Sequence, residues 1–211
     1  MPAQVANLTA TEQAGKEIDL AWSAPNNGGS AITGYKIERS TDGTNYSDLV
    51  ANTGNQAVTY SDINLTIGTT YYYKVSAINL VGTGTASTAA NTVAGDRPAQ
   101  ITVISATAAA GQEITVSWTA PADNSYAISS YLIQVSTDQQ TWTTAGSSTT
   151  TTFTDTGLAI GSTYYYRAHA TNSLGDSDKS AVVNALAGDV PAQTSGLTTT
   201  CLLYTSPSPR D

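Results

Sequence analysis

The sequence predicts an all-β chain built from two similar seven-stranded β-sandwiches in tandem. The first observation is a Tyr-rich stretch with a period of two, GTTYYYKVSAIN at Gly68–Asn79, which returns as GSTYYYRAHATN at Gly161–Asn172. The second is the regular offset between the halves, since Trp22 and Trp118 lie 96 residues apart. The third is composition: only 11% of residues are charged, and the many Thr, Tyr and Val residues suit strands.

Turn-rich segments divide the first unit into seven short stretches that alternate between apolar and polar residues. The clearest is Glu17–Trp22, whose Ile18, Leu20 and Trp22 should face inward. In the Tyr-rich strand, the inward set should be Tyr71, Tyr73, Val75 and Ala77. We expect strands at Gln4–Thr11, Glu17–Trp22, Ile32–Ser40, Tyr46–Val50, Val58–Asp62, Gly68–Asn79 and Thr85–Val93.

The second unit repeats this pattern and is three residues shorter between Tyr131 and Tyr164. Asp138-Gln139 replaces the Asp42-Gly43 pair of the first hairpin, which predicts a different turn type. The inward set should be Tyr164, Tyr166, Ala168 and Ala170, with Tyr165, Arg167, His169 and Thr171 outside. We expect strands at Ile114–Trp118, Ile128–Thr137, Trp142–Ala145, Thr151–Asp155, Thr163–Asn172 and Ser177–Ala187.

A recurring linker sets the expected domain boundaries at 1–95, 96–188 and 189–200. Gly95–Gln100 (GDRPAQ) returns as Gly188–Gln193 (GDVPAQ), and Met1 stands before the same Pro-Ala-Gln. We therefore interpret Met1 as an internal residue or a wrongly assigned start. Residues 189–200 resemble the beginning of a third unit, which indicates a fragment of a longer protein.

The last eleven residues, Cys201–Asp211, fit nothing in the repeat. They resemble the in-frame translation of a transposase-type sequencing adapter at every position. We interpret 201–211 as a non-native tail and leave it out of reasoning about fold and function. The alternative is a native Pro-rich tail.

Several short motifs together resemble a fibronectin type III domain, in both units. They are W-S-A-P at Trp22–Pro25 and W-T-A-P at Trp118–Pro121, I-T-G-Y at Ile32–Tyr35 and I-S-S-Y at Ile128–Tyr131, and the L-x-x-G-x-x-Y segments that end at Tyr71 and Tyr164. The resemblance implies two tandem immunoglobulin-like sandwiches. It also implies extracellular spacer or adhesion modules, which in secreted bacterial proteins often stand beside polysaccharide-degrading domains. The Arg-Gly-Asp tripeptide of some relatives is absent.

The L-x-x-G-x-x-Y segments resemble a tyrosine corner, in which a Tyr hydroxyl hydrogen-bonds to upstream backbone. We therefore assign a structural role, rather than a catalytic one, to the residues of these corners and of the two cores. They are Trp22, Tyr35, Leu65, Tyr71, Tyr73, Trp118, Tyr131, Leu158, Tyr164 and Tyr166.

The net charge and the residue counts argue against several classes of function. A net charge of −8, spread without runs, argues against binding to nucleic acid or to an anionic membrane surface. No apolar run reaches the roughly 18 residues of a membrane span. The single Cys201 allows no intrachain disulfide. The only histidine, His169, is expected on an outer face without a catalytic or metal-binding role, and we expect no cofactor.

Five acidic residues are candidates for a chemical site. Asp176 and Asp178 share a loop, but a calcium site needs 6–8 oxygen ligands. Glu12, Glu17 and Asp19 lie around one hairpin, but glycoside hydrolysis needs two carboxyl groups across a cleft. We expect solvated side chains in both places, and neither a metal site nor an enzyme.

Three tyrosines outside the cores are candidate ligand contacts, since an exposed phenol can stack on a sugar or anchor a protein. They are Tyr72, Tyr126 and Tyr165. The alternative is a purely cross-strand role. We expect a monomeric, non-catalytic spacer or adhesion module of a secreted or cell-surface protein, with an unknown protein or polysaccharide as partner through neighbouring domains. A carbohydrate- or protein-binding accessory module is the second hypothesis.

Overall fold

The structure is a computed structural model that describes residues 1–188. These residues form two antiparallel β-sandwiches one after the other, which confirms the predicted fold class. The described residues contain no helix long and apolar enough to cross a membrane. The expected third unit at 189–200 and the tail at 201–211 lie outside the described residues.

The first unit contains eight strand segments in two sheets. A three-stranded sheet has the order β1-β2-β5, and the facing sheet has the order β4-β3-β6, with β7 and β8 both paired to the far side of β6. The segments are β1 (Ala6–Gln13), β2 (Glu17–Ser23), β3 (Ile32–Ser40), β4 (Ser47–Val50), β5 (Thr59–Asp62), β6 (Thr70–Asn79), β7 (Gly82–Thr83) and β8 (Ala90–Val93).

The second unit repeats the same two sheets. The three-stranded sheet has the order β9-β10-β13, and in the other sheet β14 is the central strand. The segments are β9 (Ile104–Ala109), β10 (Glu113–Trp118), β11 (Ser130–Ser136), β12 (Thr143–Ser148), β13 (Thr152–Asp155), β14 (Thr163–Asn172), β15 (Gly175–Asp176) and β16 (Val183–Leu186).

Each unit has its own apolar core between its two sheets. Trp22 meets Tyr35 edge to face with ring centroids 5.1 Å apart, and Trp118 meets Tyr131 in the same way at 5.2 Å. Both indole N–H groups are buried without a hydrogen-bond partner in the described residues. The two indoles therefore contribute through their rings, since a buried donor without a partner costs free energy.

The sequence predicts a continuous last strand at Thr85–Val93 and at Ser177–Ala187, but regular pairing within these ranges is limited to Ala90–Val93 and Val183–Leu186. The reason is a side chain that replaces the backbone in the ladder. The Val75 amide donates to the Ser87 hydroxyl at 3.1 Å, and the Ala168 amide donates to the Ser180 hydroxyl at 3.0 Å. A hydroxyl offers such an alternative partner and interrupts regular pairing.

Each unit has one hairpin turn between its third and fourth strands. The two turns share a left-handed residue and the same hydrogen bonds, so the expectation of different turn types is wrong. Gly43 has φ 72° and Gln139 has φ 61°, both left-handed. In each turn the carboxylate of the preceding Asp, Asp42 or Asp138, accepts two backbone N–H bonds of 2.7–2.8 Å. These bonds hold Gln139 in a region that usually favours glycine.

Replacing Gln139 by Gly is therefore expected to stabilise the second unit by about 0.5–1 kcal/mol. Relief of the left-handed strain exceeds the added entropy of the unfolded chain. Urea unfolding measures the change, with Gly43→Ala as the matched control. That control should destabilise the first unit by a similar amount, because its new Cβ would also lie 3.2 Å from the Tyr72 ring. A loss of stability in Gln139→Gly would show that the turn is not strained.

Candidate interaction surfaces and the junction between the units

Both Tyr-rich strands begin at a closed corner. The Tyr71 hydroxyl accepts a hydrogen bond of 3.1 Å from the Thr66 amide, and the Tyr164 hydroxyl accepts one of the same length from the Ala159 amide. The glycine of each corner has a positive φ, which allows the chain to turn back under the ring. The two hydroxyls are thus engaged with their own backbone.

In each unit the third tyrosine of the Tyr-rich strand binds an aspartate that the sequence pattern did not indicate. The Tyr73 hydroxyl donates to Asp62 at 2.9 Å, and the Tyr166 hydroxyl donates to Asp155 at the same distance. Burial, together with the carboxylate, raises the pKa of both phenols. The available signal was an Asp at the last position of the fifth strand in both repeats.

The first unit adds an arginine to this pair. Arg39 Nη1 lies 3.1 Å and 2.9 Å from the two carboxylate oxygens of Asp62, whose side chain is only 5% exposed. The guanidinium carbon also lies 5.3 Å from the centre of the Tyr71 ring. One carboxylate therefore binds a phenol from the facing sheet and a guanidinium at the end of the core.

His169 is buried, with 7% of its surface exposed, so the expectation of an exposed histidine on an outer face is wrong. The segment after β15 hydrogen-bonds to β14 through the backbone and side chains of Ser177 and Ser180, and it runs alongside this part of the strand. The imidazole Nε2 lies 3.5 Å from Asp176, and Nδ1 has no hydrogen-bond partner in the described residues.

Acidification is expected to destabilise the second unit through His169. Burial lowers the pKa of this imidazole, with Asp176 opposing the shift and Lys179 and Arg167 adding to it. The unfolded chain then binds the proton first, so the contribution of His169 is complete above about pH 6.5 and is lost as the pH falls towards the native pKa. The urea midpoint of the second unit should drop between pH 7.5 and pH 5. In His169→Asn this drop should be smaller; an equal drop would contradict the assignment.

The candidate ligand tyrosines Tyr72 and Tyr165 are half-buried, at equivalent places on the two outer sheet faces. The Tyr72 ring lies beside Gly43 of the neighbouring hairpin. Next to these tyrosines, Lys74 Nζ lies 4.0 Å from the centre of the Tyr46 ring, and the Arg167 guanidinium carbon lies 4.1 Å from that of the Trp142 ring. A cation therefore occupies one face of each neighbouring aromatic ring.

The third candidate tyrosine, Tyr126, lies at the junction between the two units. Its hydroxyl donates to the backbone oxygen of Val93, in the last strand of the first unit, at 2.9 Å. Its ring lies so close to Gly95 that an added Cβ there would meet it at 2.2 Å. Burial raises the pKa of Tyr126, and the nearby Glu12 carboxylate of the first unit adds to the shift. The ring thus packs against the other unit.

The linker residue Asp96 binds to both sides of this junction. Its carboxylate accepts a bond of 2.8 Å from the Gly15 amide in the first unit. Its amide donates to the Asn124 oxygen at 3.2 Å, and its own carbonyl accepts from the Asn172 side chain at 2.9 Å, both in the second unit. The Asn124 side chain also donates to the Arg97 carbonyl at 2.6 Å. The linker is therefore hydrogen-bonded into both units.

The acidic candidates do not converge on one centre. Asp176 accepts a bond of 2.7 Å from Thr171, Glu12 accepts one of 2.9 Å from Thr92, and Asp19 accepts one from Ser61. Within residues 1–188, no three His, Cys, Asp or Glu side chains are grouped so that they could hold a metal ion. Asp178 and Glu17 likewise belong to no such group.

The chain matches parts of longer known proteins. The chain is 28% identical over 183 residues to exoglucanase B of Cellulomonas fimi, covering 80% of this chain and 15% of that protein. It is 29% identical over 201 residues to chitinase A1 of Niallia circulans, covering 92% of this chain and 26% of the other. The chain thus spans only a minor part of these relatives.

The comparison with solved structures and the match to a family model agree. A crystal structure of titin domains superposes with a TM-score of 0.58 at 16% identity, covering 85% of this chain and 62% of that one, which shows a shared fold. The model of the fibronectin type III domain matches twice, over residues 3–93 and 97–185. The chain therefore belongs to the fibronectin type III family, of which it contains two members in tandem.

Proposed function

We propose that the chain is a non-catalytic spacer that holds neighbouring domains of a larger secreted or cell-surface protein at a set separation and orientation. The observation that carries the proposal is the junction built around Tyr126 and Asp96, whose side chains bind across it. A linker that served only as a tether would need no such contacts. Relatives named exoglucanase, endoglucanase and chitinase support a secreted parent.

The size of the units suits this role. Strands of about ten residues span roughly 34 Å, so two units placed end to end would extend about 70 Å. Pro98 fixes the backbone directly after the linker, and the Ala99 amide donates to the Ala122 carbonyl at 2.8 Å. Few residues are left between the units that could bend without breaking a hydrogen bond.

The far end of the second unit supports a further neighbour. Ile160 and Leu186 are 61% and 58% exposed, whereas Ile67 and Val93, at the same places of the first unit, are half-buried. Val93 is the residue whose carbonyl accepts the Tyr126 hydroxyl. An apolar surface at this end would suit a following module of the same kind.

Small-angle scattering of residues 1–190 tests the spacer. An extended pair, with a maximum dimension of roughly 70 Å or more, is expected. A compact, folded-back pair would contradict the proposal, because it could not separate its neighbours.

The second candidate is a binding module for carbohydrate or protein. The observation that favours it is the pair of aromatic outer faces around Tyr72 and Tyr165, together with the glucanase and chitinase relatives. Pull-down on insoluble cellulose and chitin tests it, with Tyr72→Ala and Tyr165→Ala as variants. Tyr126→Ala is the matched control, since this ring packs at the junction. Retention that falls in the first two variants but not in the control would favour binding over spacing.

A further inference from the structure

One strand position carries different side chains in the two units, although the Asp and Tyr residues around it are the same. Arg39 of β3 stands opposite Tyr73 of β6 in the first unit, and Val135 of β11 stands opposite Tyr166 of β14 in the second. Arg39 and Val135 are therefore equivalent positions. In the first unit this position supplies the guanidinium that pairs with Asp62 and lies over the Tyr71 ring.

The second unit keeps the groups that receive a guanidinium but lacks the arginine. Asp155 stands where Asp62 stands and holds the Tyr166 hydroxyl, and Tyr164 stands where Tyr71 stands. Both residues are half-buried, whereas Asp62 and Tyr71 are buried. Valine is several atoms shorter than arginine and lacks a guanidinium, which is consistent with the greater exposure of these two groups.

A shallow pocket of about 270 Å³ opens beside Val135 and Tyr164 in the second unit; Asp138 is the carboxylate of its lining, and Asp155 lies outside the lining. Val135 and Tyr164 give it an apolar wall, and Asp138 and Thr143 give it polar atoms. Hydrogen bonds from the backbone of Thr141 and Gln140, the two largest causes, lower the pKa of Asp138 to about 2, so this carboxylate is charged at neutral pH. The pocket is therefore acidic on one side and apolar on the other.

We propose that this pocket binds the guanidinium of an arginine side chain from another polypeptide, in the place that Arg39 fills within the first unit. The guanidinium would lie over the Tyr164 ring and reach past the pocket lining to the Asp155 carboxylate, and its methylene stem would contact Val135. The site is independent of the spacer function, since it uses neither the junction nor the linker.

Arginine suits this place better than lysine. A guanidinium is planar, can donate two parallel hydrogen bonds to one carboxylate, and stacks on aromatic rings. In the first unit one nitrogen of Arg39 contacts both oxygens of Asp62, and its guanidinium carbon lies 5.3 Å from the centre of the Tyr71 ring. An ammonium offers a point charge without the flat face.

NMR titration of the full chain with N-acetyl-arginine amide tests the proposal. Shifts are expected at Val135, Thr143 and Tyr164, with little change at the equivalent Ser47 and Tyr71, where Arg39 already fills the place. N-acetyl-lysine amide and guanidinium chloride at the same low-millimolar concentrations should give weaker responses. Responses as large from these two probes would contradict the assignment to an arginine side chain.

A reciprocal pair of variants makes the test sharper. Val135→Arg supplies the arginine within the chain and should abolish the response of the second unit. Arg39→Val opens the first unit and should produce a response at Tyr71. Asp155→Asn should weaken binding by about tenfold, since a hydrogen bond to a charged group is lost.

Two outcomes would overturn the proposal. One is an absence of localised shifts in the natural chain, and the other is an unchanged response in Val135→Arg. If Arg39→Val fails to fold, the response of Val135→Arg still tests the proposal, because Asp155 is unchanged in that variant.

Discussion

Replacing Asp62 by Ala is expected to destabilise the first unit by about 3 kcal/mol, because two partners lose their acceptor at once. Arg39 loses contacts with both carboxylate oxygens, and the buried Tyr73 hydroxyl loses a bond of 2.9 Å. Removing one member of a buried ion pair costs about 3–5 kcal/mol. The lower end applies here, since the Arg39 side chain is 35% exposed.

The matched variant Asp155→Ala should cost the second unit only about 1–2 kcal/mol. Its carboxylate holds a single phenol, and no arginine is left without a partner. Hydrogen exchange in increasing urea, read on peptides from each unit, measures both changes in the same chain. Equal losses in the two units would show that Arg39 adds nothing to the aspartate's role.

Replacing Tyr126 by Ala is expected to release the fixed orientation of the two units. The variant loses the hydrogen bond to the Val93 carbonyl and the ring contact with Gly95. Together these are worth about 1–3 kcal/mol, which changes the ratio of docked to undocked junctions by roughly 5- to 150-fold. The free energy of unfolding of each unit should change little, because Tyr126 belongs to neither core.

Distances between spin labels at Thr59→Cys and Thr152→Cys, in a Cys201→Ser background, report this change. Both labelled positions are exposed, one in each unit. The distance distribution should be narrow in the natural background and broad in Tyr126→Ala. Gly95→Ala should act in the same way, since its methyl group would displace the ring. A distance distribution that neither substitution alters would contradict the role of Tyr126 in fixing the junction.

The architecture could be predicted because its signals are local and occur twice. Alternation in β2 and β6 fixes which side chains face inward, and the structure places Ile18, Leu20 and Trp22 in one core with Tyr73 and Val75. The offset between repeats then assigns the second unit by copying the first. Strand ends were less accurate, because pairing there depends on side chains such as Ser87, whose hydroxyl replaces a ladder partner.

The contacts between residues far apart in sequence could not be predicted in this way. Tyr126 and Val93 are 33 residues apart and meet only because the linker places one sandwich on the other. His169 follows the outward alternation of β14, yet it is buried, and the segment after β15 hydrogen-bonds to Ala168 and Ala170 on either side of it. Period-two reasoning identifies the face of a strand but not what lies on that face.

The difference between Arg39 and Val135 shows the same limit from another side. Comparison of the repeats reveals the substitution, but only the structure shows that Arg39 meets Asp62 from the facing sheet. If the contact between Arg39 and Asp62 were not known, valine in place of arginine would be an ordinary substitution at a strand end. Given that contact, the second unit has a carboxylate and a phenol ring without their third partner.

The central claim is that the two sandwiches are held as one body by the junction at Tyr126 and Asp96. Residual dipolar couplings of the natural chain, measured for backbone amides in both units, test this most directly. One alignment tensor should fit the couplings of both units, with the same axes and the same magnitude. Tensors that differ in magnitude between the first and second unit would mean that the two move independently, and would contradict the claim.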